Sequence, residues 1–190
     1  MTAAELIAFE REVADAFEAK QIRAPVHLAG GNEDQLIGIF REIQREDWVF
    51  STWRSHYHAL LHGVPRDLVM KEILAGRSMM LHFPEYRFFT SAIVGGILPI
   101  ACGVAAAGAK VWCFVGDMTA SIGAYHDAEK YAEGHDLPIH FVIEDNGLST
   151  NTPTDRAWLS GGIFNVRMDY RRYHYQRTYP HVGSGVYVPF

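Results

Sequence analysis

Apolar positions near the start of the chain recur at helical spacing. Leu6, Ile7, Val13 and Phe17 fall on roughly one face, which predicts a helix over residues 3–19. Leu36, Ile37, Phe40 and Ile43 repeat the pattern and predict a second helix over 34–45, after a glycine-bearing loop at 24–32. Residues 48–51 are short and β-prone, and 55–61 read as helical. Pro65 suits the first turn of a further helix that runs to about Leu74. Residues 76–91, rich in Met, Phe and Tyr, show no period and read as irregular, while 97–108 have the small apolar composition of a helix packed on a sheet.

A regular alternation follows. VWCFV (111–115) is an unbroken apolar run, the mark of a strand buried on both faces. Residues 116–123 read as a turn and 124–133 as a helix ended by Gly134. IHFVI (139–143) is a second buried strand. Strand, turn, helix and strand make a βαβ unit, so the two strands are expected to be parallel with a right-handed crossover. The predicted class is α/β, a parallel sheet flanked by helices. With no linker in view, residues 1–190 are taken as one domain, with 163–190 a C-terminal strand or interface tail. There Tyr173, Tyr175, Arg177 and Tyr179 alternate with Arg172, His174 and Gln176, as on a strand with two different faces.

Composition narrows this only a little. The chain has 190 residues, 48% hydrophobic and 21% charged, with a net charge of −5, so nothing global pulls it toward nucleic acid or a membrane. The arginines and tyrosines of 170–181 read as an edge strand or subunit contact rather than a nucleic-acid surface. No apolar run is long enough to span a bilayer, and the acidic, amphipathic N-terminus is unlike a signal peptide. Cys102 and Cys113 lie in apolar surroundings with no CxxC pair, which predicts buried free thiols and a cytoplasmic location.

The chemistry gathers at the ends of the two strands. The first ends in Gly116-Asp117, the second in Glu144-Asp145-Asn146-Gly147. Parallel neighbours bring both ends to one rim of the sheet, where ligands of open α/β sheets bind. A carboxylate beside an amide oxygen is a hard oxygen pair suited to Mg²⁺, and a helix start after Asp117 offers N–H groups to a diphosphate. Taken singly, Asp117 also reads as a helix cap and Asn146 as a turn residue.

These residues resemble the thiamine diphosphate signature: Gly116-Asp117, then Asn146 thirty positions after the glycine. The wider resemblance, over about 22–156, is to the alpha subunit of the 2-oxo acid dehydrogenase first component, as in pyruvate, branched-chain and acetoin dehydrogenases. It is carried by HLAGGNEDQL (27–36), WRSHYHALLHGVP (53–65), AIVGGILPIACG (92–103), VWCFVGDMTASIGAYHDA (111–128) and FVIEDNGLST (141–150). The resemblance implies the thiamine diphosphate-binding fold. It implies that Asp117 and Asn146 hold Mg²⁺ by side chain and Leu148 by its carbonyl. Arg54 and the backbone at Gly116, Met118 and Thr119 would meet the diphosphate, and backbone at Ala92 and Val94 the aminopyrimidine ring. Trp53 stands where the family has Tyr. His56 matches the family's His after Tyr-Arg and is a candidate to line the active site. Arg177 and His181 resemble the Arg-x-x-x-His segment that opens the family's regulatory loop, whose His reaches the diphosphate.

The chain departs from the family pattern in having Met118 where glycine follows the Asp, carboxylates at Glu144 and Asp145 beside the expected diphosphate, and a shorter chain. His56, His58 and His62 lack the companions of a zinc set. The expected function is a subunit of a thiamine diphosphate- and Mg²⁺-dependent enzyme that decarboxylates a 2-oxo acid or similar donor and passes on an acyl or aldehyde group. The activating glutamate would come from a pyrimidine-domain, beta-type partner in an α₂β₂ heterotetramer, leaving the lone chain inactive. A transketolase-like or carboligase subunit, or a non-catalytic regulatory subunit with a degenerate site, are the alternatives.

Overall fold

A computed structural model describes residues 1–158 and 171–189. The first helix, α1, spans Ala3–Glu18 and opens on a capping box in which Thr2 and Glu5 satisfy each other's backbone N–H groups. Helix α2, Glu33–Phe40, is shorter than the apolar period predicts. The carboxylate of Asp47 accepts the Gln44 N–H at 3.1 Å and the indole N–H of Trp112 at 3.0 Å, turning the chain into strand β1, Trp48–Ser51. Helices α3, His56–Leu61, and α4, Arg66–Leu74, follow as expected.

The segment expected to be irregular contains two strands, β2 (His82–Phe83) and β3 (Phe88–Thr90), joined by a 3₁₀ turn with Arg87 in the left-handed region. Three β-prone residues, Phe88, Phe89 and Thr90, are too few to show a period, yet β3 pairs in parallel with β1. Helix α5 is Ile97–Ala106, β4 is Val111–Gly116, α7 is Gly123–Gly134 and β5 is Ile139–Asp145. Between β4 and α7 the expected turn is a short helix, α6, Asp117–Ala120. A small hairpin of β6 (Leu148–Ser149) and β7 (Thr152–Pro153) leads to α8, Thr154–Trp158, and β8 is Arg171–His174.

The six-stranded sheet has the order β2-β3-β1-β4-β5-β8, with only β2 antiparallel. Alternation along its central strands feeds two cores. Trp112, Phe114 and Val142 face the helices α1 to α4, where Phe114 stacks on Phe40 with centroids 5.5 Å apart. Val111, Cys113, Val115, Phe141 and Ile143 face α5 and α7. Both faces are covered, which is why these strands read as unbroken apolar runs. Both cysteines are buried and free.

The tail differs from the strand expected of it. Only residues 171–174 of the described tail pair in the sheet. Residues 175–189 instead fold back over the loop at 26–31, where Thr178 N–H donates to the Gly30 carbonyl at 3.1 Å and Gly183 N–H to that of Val26. The remainder of the expected tail, 163–170 and Phe190, lies outside the described residues.

Gly31 makes this docking possible. Its φ is +92°, and a Cβ there would lie 1.9 Å from the Gln176 carbonyl oxygen. Gly31→Ala is therefore expected to cost about 1–3 kcal/mol and to speed amide hydrogen exchange over 175–183. Unchanged exchange there would show that the tail does not need this approach.

Candidate functional site

The C-terminal ends of the parallel strands converge on one cavity of about 100 Å³. Thr52, Trp53 and Arg54 come from the end of β1, and Val94 from beyond β3. Gly116, Asp117, Met118 and Thr119 follow β4, while Glu144, Asn146, Leu148, Ser149 and Thr150 follow β5. Tyr175 follows β8. Of the residues singled out from sequence, Trp53, Arg54, Val94, Gly116, Asp117, Met118, Thr119, Asn146 and Leu148 thus share one wall. Ala92 is half-buried near Val94 without lining the cavity.

The register explains the meeting of Asp117 and Asn146. β4 and β5 pair from Val111–Ile139 to Gly116–Glu144, so each chain leaves the sheet at the same level. Asp117 is 2% exposed and accepts a 2.6 Å hydrogen bond from Thr154 Oγ1. Burial raises its carboxyl above the ordinary aspartate value, opposed by that hydroxyl and by the N–H groups of Asp117 itself and Asn146. The Asn146 amide is oriented at both ends: Oδ1 accepts from Leu148 N–H at 3.0 Å, and Nδ2 donates to Tyr175 Oη at 3.2 Å.

The neighbouring carboxylates are held by other groups. Asp145 pairs with Arg172, lies 3.0 Å from His174 Nδ1, and accepts the Gly147 N–H at 2.9 Å. Glu144 lines the cavity, but its carboxylate takes hydrogen bonds from Asn32 at 3.2 Å and from Tyr173. His58 Nε2 lies 3.3 Å from it without the alignment of a hydrogen bond. Met118 stays at the rim with its sulfur 3.3 Å from Ser121 Oγ, and the cavity persists beside it.

This donor set suits a metal-bound anion. Arg54 Nε and Trp53 Nε1 are buried with no partner among the described residues, and unpaired buried donors of that kind are costly unless something accepts from them. A Cβ on Gly116 would meet nothing within 4 Å, so the approach there is open. Among the described residues no group of three or more His, Cys, Asp or Glu side chains is arranged to hold a metal. A site here would combine one carboxylate with amide and carbonyl oxygens, the hard ligands of Mg²⁺.

The two histidines singled out from sequence divide. His181 reaches the site's edge: its Nδ1 is 3.4 Å from Arg54 Nη2 and its ring centroid 4.4 Å from that of His27. Arginine only donates, so His181 Nδ1 accepts. Burial, then the charges of Arg54 and Arg177, pull its pKa down, and burial carries His27 to about 3. Both rings are neutral at pH 7. His56, in contrast, does not line the cavity. It is fully buried, with Nδ1 3.0 Å from Glu10 and Nε2 2.8 Å from Ser78 Oγ. Glu10 also accepts the Ala29 N–H at 3.1 Å, so this chain of polar contacts ties α1 to α3 and to the loop under the tail. The signal for it was available. Glu10 sits on the stripe of Leu6, Phe9, Val13 and Phe17, where a carboxylate is out of place unless paired.

Two outcomes test these assignments. Glu10→Ala is expected to destabilise the fold by about 3 kcal/mol in urea denaturation, because it strands the Ala29 N–H and the imidazole. A loss below about 1 kcal/mol would deny the link its structural weight. A carboxyl whose pKa is raised on folding stabilises the fold below its unfolded value and loses that contribution as pH rises through the folded one. Ionised Asp117 is therefore a cost to the ligand-free chain at neutral pH. Asp117→Asn is expected to melt at the same or a higher temperature than the parent at pH 7, with the difference closing toward about pH 3. A lower Tm at pH 7 would make Asp117 a structural cap.

Comparison of the sequence with known proteins identifies relatives of this chain. The family model described as Dehydrogenase E1 component matches residues 1–168. The alpha subunit of acetoin:2,6-dichlorophenolindophenol oxidoreductase from Bacillus subtilis is 29% identical over 169 residues, covering 80% of this chain and 51% of that protein. The pyruvate dehydrogenase E1 component subunit alpha of Zymomonas mobilis is 30% identical over 166 residues, covering 78% of this chain and 47% of that protein. The chain thus spans about half the length of these relatives. With the family model matched over most of its length, the chain belongs to the dehydrogenase E1 component family.

Proposed function

We propose that this chain is the cofactor-holding subunit of a thiamine diphosphate- and Mg²⁺-dependent enzyme acting on a 2-oxo acid or a similar carbonyl donor. The observation that carries the reading is the meeting of Asp117 and Asn146 in one cavity with Arg54, whose buried Nε has no partner among the described residues. When bound, the cofactor supplies the carbon nucleophile and electron sink for decarboxylation and acyl or aldehyde transfer. The protein's own task is binding and orientation. Asp117 Oδ, Asn146 Oδ1 and the Leu148 carbonyl hold the metal. Arg54 and the N–H groups of Met118 and Thr119 take the diphosphate oxygens, at the start of α6. His181, neutral and accepting from Arg54, turns the guanidinium without competing for the anion. Val94 and Ala92 border the place for the aminopyrimidine ring.

The activating glutamate is assigned to a beta-type partner chain in an α₂β₂-like assembly. Two observations support a partner. The matched relatives are named as alpha subunits. Beside the cavity, Ile93 and Val94 are 72% and 51% exposed, an apolar rim suited to burial by another chain. The Glu144 carboxylate in the cavity wall favours a second reading, a non-catalytic subunit with a weakened anion site.

Isothermal titration with thiamine diphosphate and Mg²⁺, with and without the partner, separates the two. Metal-dependent binding is expected, and Asp117→Ala is expected to weaken it beyond the roughly 10–100-fold of an outer-shell change. Binding in neither case would favour the non-catalytic subunit. The chain alone should not decarboxylate 2-oxo acids, and the complex should. Robust turnover by the lone chain would remove the partner from the mechanism.

A further inference from the structure

Asn146 has an amide whose two ends look alike in shape and differ in chemistry. Only its oxygen can serve a metal, so the way the amide is turned decides whether the site works. Leu148 N–H donates to Oδ1 at 3.0 Å, and Tyr175 Oη accepts from Nδ2 at 3.2 Å. Exchanging the ends would set Nδ2 against the Leu148 N–H, donor against donor, and leave Oδ1 toward the phenol. An sp² oxygen has a second lone pair, so Oδ1 can accept from Leu148 and still face a cation.

Tyr175 is itself held in place. Its backbone N–H donates to the Asp145 carbonyl at 2.9 Å, extending the line of β8 by one residue beyond His174. Its ring packs on Tyr173, centroids 5.8 Å apart, and Tyr173 is anchored by its hydroxyl on Glu144. The phenol therefore reaches Asn146 from a fixed backbone, and it lines the same cavity. It also lies beyond residues 1–168, the stretch matched by the family model.

We infer that Tyr175 is a positioning residue for the metal site: the Leu148 N–H sets which end of the Asn146 amide is Oδ1, and the Tyr175 hydroxyl, accepting from Nδ2, holds the amide in that rotation with Oδ1 free to meet the cation. The inference rests on the metal–diphosphate reading proposed above. It makes the tail part of the cofactor site through one side chain, with no contact between Tyr175 and the metal itself.

The test uses the full chain, with Mn²⁺ and thiamine diphosphate as probes. Isothermal titration at fixed thiamine diphosphate gives the Mn²⁺ concentration for half-saturation in the parent, Tyr175→Phe, Asn146→Ala and the double variant. Tyr175→Phe keeps the ring and loses the hydroxyl. It is expected to raise the metal requirement about five- to tenfold, the factor that accompanies one lost hydrogen bond. The thermal midpoint of the ligand-free chain should not move, and affinity at saturating Mn²⁺ should stay near the parent's. In the Asn146→Ala background the same change should add nothing, because there is no amide left to turn. A metal requirement within twofold of the parent's would overturn the inference while leaving the site intact. So would a lower thermal midpoint with weakening that excess metal does not relieve, which marks a merely structural tyrosine. Absence of metal-dependent binding in the parent would overturn the site reading, and this inference with it.

Discussion

The parallel pairing of β4 with β5 is the constraint on which the rest depends. Six residues of register, from Val111–Ile139 to Gly116–Glu144, bring the two chains off the sheet at one level. A one-residue slip would turn Trp112 and Phe114 into the opposite core and disrupt the packing of both. The burial that holds the register therefore also holds Asp117 beside Asn146. The same register brings the Asn146 N–H onto the Asp117 carboxylate.

That placement concentrates acid. Asp117, Glu144 and Asp145 all stand at the rim and all are buried. The structure treats them differently. Asp145 has Arg172 and His174, and Glu144 has Asn32 and Tyr173, while Asp117 has the Thr154 hydroxyl and the N–H groups of Asp117 itself and Asn146. Burial still raises the pKa of the Asp117 carboxyl despite these contacts, and a cation would offset that cost. That difference singles out Asp117, among the three acids, as the proposed metal ligand. The same logic answers the difficulty that Glu144 and Asp145 raised beside an anion: their charge is directed toward groups on α2, β8 and the loops rather than left unpaired.

What could be read from the sequence followed the strength of local signals. The unit β4–α7–β5 was legible because strands buried on both faces and an amphipathic helix have different periods. The motif was legible because it lies at their ends. β3 was missed because three residues carry no period. α6 was missed because one helical turn looks like any turn. His56 matched a family position by its neighbours in sequence. Its role instead comes from Glu10 and Ser78, far away along the chain, and only the apolar stripe of α1 hinted that Glu10 had to find a partner inside.

The tail shows how far sequence reasoning about single segments can reach. Its alternating tyrosines and arginines do fit a strand, and the first four described residues form one. Beyond His174 no further strand among the described residues pairs with it, so the alternation serves a different end. Tyr173 and Tyr175 keep a common face and meet Glu144 and Asn146. Arg177 turns to the Thr150 carbonyl and Asn151, the loop just past the motif, and His181 to Arg54. Each of these contacts lands on the rim built by β1 and β5. A segment outside the stretch matched by the family model thus closes the site that the matched stretch builds. In this chain the geometry of the residues proposed to hold metal and diphosphate depends on how well the tail is docked, and that docking rests on Gly30 and Gly31, ahead of α2, at the opposite end of the sequence.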